Sequence, residues 1–255
     1  MRALKQDLSI YNKFGFDRPP IGVKFLLHEP EGIEQMKGTA GLCEMFWKAQ
    51  ESGKPFYITK ENEDCAGKLA MGWEELPPFA EYGQLGEKLD IFQEGRANGR
   101  LYDQFYRFKK GLMNYVVFAP LDQLTFEPDL LILTAKPSQA EVLVRAISYS
   151  TGDIVESKST PVLNCSWQLV YPYKSGKINY LVTGLAFGAK SRQCFPEGII
   201  LVSIPYQKLP EITQNLNEMN WVPKAYTLGR EKYIEFDKQV FAEMAQEMEE
   251  DPQCT

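Results

Sequence analysis

Five cysteines are the residues of this chain best able to carry chemistry. They lie at widely spaced positions, namely Cys43, Cys65, Cys165, Cys194 and Cys254. No two of them form a C-x-x-C pair, so the signatures of zinc ribbons, thioredoxin-type proteins and haem attachment are absent. An odd number of separated thiols favours reduced cysteines over a disulfide framework. Thiolates that the fold brings together can still bind zinc, copper(I) or an iron–sulfur cluster.

A single histidine narrows the remaining catalytic chemistry. His28 follows an apolar run, precedes Glu29 and Pro30, and has no second histidine to work with. Zinc sites with three histidines and facial triads with two are therefore excluded. Because a strand-end histidine is usually a surface residue, we do not expect His28 to be catalytic. The sequence also lacks a dinucleotide fingerprint, a Walker loop, a nucleophile elbow and the kinase motifs.

The composition is that of a globular protein. The 255 residues are 44% hydrophobic and 24% charged, with a net charge of −6, which excludes collagen, coiled coil and wholesale disorder. An acidic balance is poorly suited to a nucleic-acid backbone. No apolar run approaches the ~20 residues that span a bilayer, and the N-terminus lacks a signal-peptide pattern. We therefore expect a cytoplasmic protein that binds neither nucleic acid nor membranes.

Strand and helix patterns alternate along the chain and position the cysteines. Apolar and β-branched runs predict strands over residues 21–27, 56–59, 114–118, 129–134, 167–171, 179–183 and 198–204. Helical spacing predicts helices over residues 39–50, 138–148, 209–220 and 231–248, with a glycine-interrupted helical segment over 79–112. This alternation, without a flexible linker, predicts one compact α/β or α+β domain over residues 1–255.

A weak internal repeat relates the regions around Cys43 and Cys165. Each cysteine is followed by a Ser-Gly-Lys turn, a tyrosine and a small-residue Gly/Lys loop. We predict half-repeats over residues 17–73 and 126–204, a helical insertion over 74–113 and a C-terminal helical segment over 205–255. In this alignment Ala186 takes the place of Cys65. A chance similarity is the alternative to a true duplication.

Four short motifs are distinctive enough to compare with known families. They are Pro20-Ile21-Gly22-Val23-Lys24-Phe25, Asp64-Cys65-Ala66-Gly67 with Met71-Gly72, Tyr115–Pro120 with Glu127-Pro128-Asp129, and Gly188-Ala189-Lys190-Ser191-Arg192. Together they resemble motifs of the domain-of-unknown-function 169 (DUF169) family. The resemblance spans roughly residues 17–214 and implies recurring cysteines in prokaryotic, often anaerobic, lineages. Cys43, Cys65 and Cys165 match that set, whereas Ala186 stands at the fourth cysteine position. Cys194 is the candidate to replace it.

One predicted function is a thiolate metal centre. Cys43, Cys65 and Cys165 would converge to hold an iron–sulfur cluster such as [4Fe–4S], or zinc as the alternative, in anaerobic oxidoreductase chemistry. Three ligands would leave an open metal position for a substrate, and Cys194 would close it for electron transfer. Carboxylates near the cysteines in sequence are candidate acid–base groups, namely Glu44, Glu63 and Asp64.

The alternative function is a metal-free module that binds a small molecule or an anion. Backbone amides and basic side chains of two Gly/Lys loops would cradle the ligand, using Gly67, Lys68, Gly188, Lys190 and Arg192. The cysteines would then pack as small hydrophobic residues. The expected partner is a small-molecule substrate or a redox protein, and the acidic C-terminal helix can also dock a second copy as a homodimer.

Overall fold

The computed structural model describes residues 1–250, so Cys254 lies outside the described residues. The predicted mixture of helices and strands is confirmed. Six strands form one sheet: β1 (Ile21–Leu26), β2 (Phe56–Ile58), β3 (Tyr115–Pro120), β4 (Leu130–Ala135), β5 (Asn179–Val182) and β6 (Ile200–Pro205). The α-helices are α1 (Leu42–Ser52), α2 (Gly67–Ala70), α3 (Pro78–Glu81), α4 (Gln84–Lys88), α5 (Gly95–Tyr102), α6 (Pro137–Ser148), α7 (Tyr171–Ser175), α8 (Phe187–Ser191), α9 (Leu209–Glu218) and α10 (Arg230–Glu250).

The sheet is antiparallel throughout and has an approximate two-fold arrangement. Its strand order is β2-β3-β1-β4-β6-β5, with β1 and β4 paired at the centre. On each side of this pair, the third strand of the half lies next to the first, and the second strand forms the edge of the sheet. Pro120 ends β3 opposite Ile21, and Pro205 ends β6 opposite Leu130. A 3₁₀ turn follows each of these prolines. Two related halves would give this arrangement, and the duplication itself stays a prediction.

The first helix covers the sheet because its apolar residues recur at helical spacing. Leu42, Met45, Phe46 and Ala49 are buried, and they pack with the alternating β1 residues, which include Val23. Burying a side chain of this size contributes about 1.5–3 kcal/mol. The helix ends at Gly53, whose φ of 62° suits glycine. This packing fixes the start of α1, and with it Cys43, against the core.

The strand predicted over residues 167–171 is wrong. Residues Ser166–Val170 form a π-helical turn that continues into α7. All five residues of the turn are buried, and an apolar run that is buried on every side does not distinguish strand from helix by periodicity. Pro172, in the first turn of α7, is compatible with a helix because the amide it lacks has no intrahelical partner there. The segment predicted as broadly helical over residues 79–112 holds only the short helices α3, α4 and α5.

Two compact units divide the chain. The first, Met1–Asn217, contains the sheet and every cysteine that the structure describes. The second begins at Glu218 and contains α10, whose Phe241 and Met244 are exposed. Among the described residues, no helix combines the length and apolar character needed to cross a membrane.

Candidate functional site

Four cysteines from distant parts of the sequence lie near one another, three of them at or just before the starts of helical segments and one after a helix. Cys43 is the second residue of α1, and Cys65 lies two residues before α2. Cys165 immediately precedes the π-helical turn, and Cys194 follows α8. The electrostatic environment of the Cys43 thiol includes the thiols of all three others. The convergence of Cys43, Cys65 and Cys165 that the sequence suggested is therefore present in the fold.

A small cavity lies between three of these thiols. Its volume is about 60 Å³, and Cys43, Cys65 and Cys165 all line it. The wall also contains apolar side chains such as Leu42 and Leu163, and backbone from the start of α8. Cys194 does not line the cavity. The cysteines thus divide into three that face the cavity and one that stands behind Cys43.

Cys194 is in contact with Cys43. Their Sγ atoms are 3.8 Å apart, and Cys194 is only 4% exposed. Cys194 shares a small cluster with Ala186 and Ala189, and Cys43 packs against that cluster. Ala186, for which the family resemblance predicts a cysteine, therefore has a thiol beside it in space.

Burial sets the protonation of these thiols. It raises the pKa of both Cys65 and Cys165, so these side chains are neutral in their present environment. The hydrogen bond between the Cys43 and Cys194 thiols, together with burial, raises the pKa of Cys43. The same hydrogen bond lowers the pKa of Cys194. A metal ion would take all of them in the thiolate form and displace their protons.

Glu63 holds together the segments that carry Cys43 and Cys65. Its carboxylate is 1% exposed and accepts hydrogen bonds from the backbone N–H groups of Leu42 (3.1 Å), Cys65 (3.0 Å) and Lys68 (3.1 Å). Burial raises the pKa of Glu63 to about 7, although these three hydrogen bonds oppose the shift. Glu63 therefore positions Cys65 through its own amide and Cys43 through the amide of the preceding residue, Leu42.

Arg192 connects three of the cysteine segments. Its guanidinium lies 2.5 Å from the Glu44 carboxylate, next to Cys43, and 2.9 Å from that of Asp64, next to Cys65. Glu44 also accepts a hydrogen bond from the Gly41 N–H at 2.7 Å and so caps α1. Arg192 lies two residues before Cys194. Its two ion pairs therefore join the segment that carries Cys194 to the segments that carry Cys43 and Cys65.

Strained backbone flanks the same cysteines. Leu163, two residues before Cys165, has φ of 57°, and Gln193, directly before Cys194, has φ of 53°. Residues other than glycine rarely adopt a positive φ, and such backbone strain concentrates at functional sites. The fold therefore keeps these thiols in place at a cost in backbone energy.

Asn164 is the site residue that the sequence analysis missed. It lines the cavity, and its buried Oδ1 has no hydrogen-bond partner among the described residues. Its Nδ2 donates to the Thr160 carbonyl at 3.2 Å, which fixes the amide orientation. A buried acceptor without a partner requires an explanation, and a ligand in the cavity supplies one. The available sequence signal was a polar residue next to Cys165.

The residues of the predicted anion site are engaged elsewhere or dispersed. Arg192 pairs with two carboxylates, Lys68 pairs with Glu74 at 3.2 Å, and the amide of Lys68 already serves Glu63. Gly67 and Gly188 both line the cysteine cavity, whereas Lys190 is exposed at the surface. The carboxylate of Glu63 thus occupies the place where an external anion would meet these amides.

The geometry falls short of a preformed metal site. In the part of the chain that the structure describes, no three His, Cys, Asp or Glu side chains lie close enough to hold an ion as they stand. His28 is exposed just after β1 and does not line the cysteine cavity. Metal binding by all four cysteines would therefore require the side chains of Cys65 and Cys165 to rotate toward the Cys43–Cys194 pair.

Comparison with known proteins finds one family and one curated relative. The model of the DUF169 family, described as uncharacterised ArCR proteins, matches residues 9–215. The uncharacterised protein MJ0308 of Methanocaldococcus jannaschii is 27% identical over 211 residues, which cover 81% of this chain and 90% of that protein. No solved structure gives a significant match.

Proposed function

This chain belongs to the DUF169 family, and we propose that it binds a thiophilic metal through Cys43, Cys65, Cys165 and Cys194. Zinc and iron are the metals that such a sulfur set suits best. The bound metal would supply either a Lewis acid or a redox centre. The protein would supply four sulfur ligands and a cavity walled by apolar side chains.

The observation that carries this proposal is the separation of Cys43 and Cys194. Two thiolates on a tetrahedral metal, each at ~2.3 Å from it, lie ~3.8 Å apart. The two Sγ atoms of this pair already lie 3.8 Å apart. The pair therefore has the spacing that one edge of a sulfur tetrahedron needs, and Cys65 and Cys165 line the cavity next to it.

The surroundings of the cavity also support a bound metal. The buried Oδ1 of Asn164 has no partner among the described residues and can accept a hydrogen bond from a water of the loaded site. Arg192 lies close enough to influence Cys65 electrostatically, so it would offset part of the negative charge of several thiolates. Glu63 and Arg192 act as positioning residues that keep the cysteine segments together.

The size of the cavity favours a single ion over a cluster. About 60 Å³ accommodates only a few water-sized groups, since a water needs roughly 10–15 Å³ of such volume. An iron–sulfur cluster brings its own sulfides and would need the cavity to widen. Zinc or mononuclear iron is therefore the preferred occupant, with a cluster as the second form.

The test is metal and sulfide analysis of protein purified without oxygen. We expect about one zinc or iron per chain, without acid-labile sulfide. Cobalt(II) added to the metal-free protein should give thiolate-to-cobalt charge-transfer absorption. Cys65→Ser should reduce metal content and this absorption severalfold, whereas Cys254→Ser, which also removes one thiol, should leave both unchanged.

The outcomes separate the forms of the proposal. Iron with equal acid-labile sulfide would support a metal centre of the cluster type and overturn the single ion. Protein that holds no metal after purification, and takes up neither zinc, cobalt nor iron with sulfide under anaerobic reconstitution, would overturn the proposal entirely. Equal metal content in the Cys65→Ser and wild-type proteins would exclude this site as the location.

A further inference from the structure

We infer that Cys43 and Cys194 also form a reversible disulfide, which makes this pair a thiol–disulfide site as well as a metal-binding one. The pairing stands on contacts within the chain and does not depend on the proposed metal. Only the competition between disulfide and metal rests on the proposed function.

The two thiols are each other's nearest sulfur partners. Their Sγ atoms are in contact at 3.8 Å, and the Cys194 thiol influences the Cys43 thiol more strongly than the thiols of Cys165 and Cys65 do. Cys194 is 4% exposed, and Cys43 is half-buried and lines the cavity. Because Cys43 is the more exposed of the two, an external disulfide would reach Cys43 first, and Cys194 would act as the resolving thiol.

Neighbouring contacts hold the two backbones in this arrangement. The Glu44–Arg192 ion pair, at 2.5 Å, joins the residue after Cys43 to a residue two before Cys194. Gln193 adopts φ of 53° immediately before Cys194. Cys194 also packs with Ala186 and Ala189, whose small side chains leave its sulfur beside that of Cys43. These contacts hold the segment that carries Cys43 against the segment that carries Cys194.

The oxidant in this reaction is a small-molecule disulfide. The Cys43 thiol loses its proton as it attacks one sulfur of R–S–S–R, and it forms a mixed disulfide and releases one thiolate RS⁻, which takes up that proton. The Cys194 thiolate then attacks Cys43 Sγ, which closes the Cys43–Cys194 bond and releases the second RS⁻. The two protons of the protein thiols end on the two RSH products, so the protein loses two electrons and the small disulfide gains them.

Disulfide and metal compete because they use the same sulfur atoms. A thiol consumed in a disulfide no longer provides a thiolate ligand. Oxidation would therefore withdraw Cys43 and Cys194 from the proposed site and leave only Cys65 and Cys165. The inference adds to metal binding a dependence on the surrounding disulfide and thiol concentrations.

The test treats reduced, metal-free full-length protein with glutathione disulfide. Free thiols are then alkylated, and the peptides are mapped without reduction. We expect a loss of two thiols per chain and a peptide that joins Cys43 to Cys194, with Cys65 and Cys165 still alkylated. Cys194→Ala should accumulate the mixed disulfide with glutathione at Cys43, whereas Cys254→Ser should behave like the wild type.

The results separate this inference from the proposed function. A map without the Cys43–Cys194 peptide, or with Cys43 joined to Cys65 or Cys165, overturns the pairing. Zinc added beforehand should slow disulfide formation at least tenfold. If the disulfide forms but zinc neither binds nor slows it, the pairing stands and the proposed function fails. If zinc binds but leaves the rate unchanged, the competition fails.

Discussion

The contacts of Arg192 indicate that it joins segments of the chain and does not bind a ligand. Its guanidinium is shared between Glu44 and Asp64, with about 30% of the side chain exposed. Ion pairs at this exposure are worth about 0.2–1 kcal/mol each. Their importance lies in which segments they join, since they connect the chain near Cys43, Cys65 and Cys194.

Replacing Arg192→Gln should weaken zinc binding by roughly fivefold, which corresponds to about 1 kcal/mol. The reason is that Glu44 and Asp64 lose the group that draws their segments together. The measurement is zinc competition against a chromogenic chelator. Lys190→Gln, an exposed basic residue of the same helix region, is the matched control and should leave zinc binding unchanged. An equal effect of both variants would show a general effect of positive charge and contradict a specific role of the Arg192 ion pairs.

Two substitutions of Glu63 should lower the free energy of unfolding to different extents. Glu63→Ala leaves the N–H groups of Leu42, Cys65 and Lys68 without their acceptor, at a cost of about 2–4 kcal/mol in the free energy of unfolding. Glu63→Gln retains one acceptor oxygen and should cost about 1 kcal/mol.

The measurement for this series is urea-induced unfolding at neutral pH. Glu31→Ala removes an exposed carboxylate and should stay within about 0.5 kcal/mol of the wild type. A Glu63→Ala protein as stable as the Glu31→Ala protein would show that water, and not Glu63, satisfies the three amides.

The sequence allowed the candidate site residues to be chosen by type, but it did not predict the contacts that these residues make in the fold. Cys43, Cys65 and Cys165 stood out by type and by family resemblance, and the fold brings them to one cavity. Asn164 could not be recognised because its relevance lies in an unpaired Oδ1, a property that exists only once the chain around it has folded. The role of Arg192 depends on carboxylates more than a hundred positions away.

At the scale of elements, the two Gly/Lys loops differ in how closely they are packed. A Cβ on Gly67 would lie 2.7 Å from Glu63 Oε1 and 2.8 Å from Leu42 Cδ1, whereas a Cβ on Gly188 would meet nothing within 4 Å. The loop before α2 is therefore fitted against the Glu63 network, and the start of α8 is open.

Gly67→Ala should destabilise the protein by about 1–3 kcal/mol, because its methyl group displaces Glu63 or Leu42. Gly188→Ala is the matched control and should be neutral or stabilising by up to about 1 kcal/mol, since alanine favours a helix. Thermal or urea unfolding of the two variants makes the comparison. Equal stability of the two proteins would contradict the close fit at Gly67.

Element type was predictable where the pattern had one interpretation. The strand run at β6 and the helix at α6 agree with their patterns within a few residues. The run from Trp167 to Tyr171 failed because burial on all sides removes the periodic signal. The strand order was beyond the sequence, since it depends on pairings such as β1 with β4 that join distant segments.

At the scale of the whole molecule, metal binding should be linked to folding. Three of the four cysteines lie on or directly before helical segments that pack around the core, so a metal that binds only the folded chain stabilises it. Zinc at about 100 times its Kd should raise the free energy of unfolding by about 2.7 kcal/mol.

Urea unfolding with zinc, and with a chelator, measures this linkage. Cys65→Ser should unfold at the same urea concentration under both conditions, because it lacks a ligand. A zinc-dependent rise in the variant equal to that of the wild type would place the stabilising metal elsewhere in the molecule.

The distance along the chain between Cys43 and Cys194 also sets an order of events during synthesis. The ribosome releases Cys43 and Cys65 while Cys165 and Cys194 are still unmade. Neither the metal site nor the Cys43–Cys194 bond can be completed until most of the chain has emerged. If the protein binds the proposed metal, loading would follow synthesis of most of the chain, and a chain interrupted before Cys165 would contain only two of the four proposed ligands.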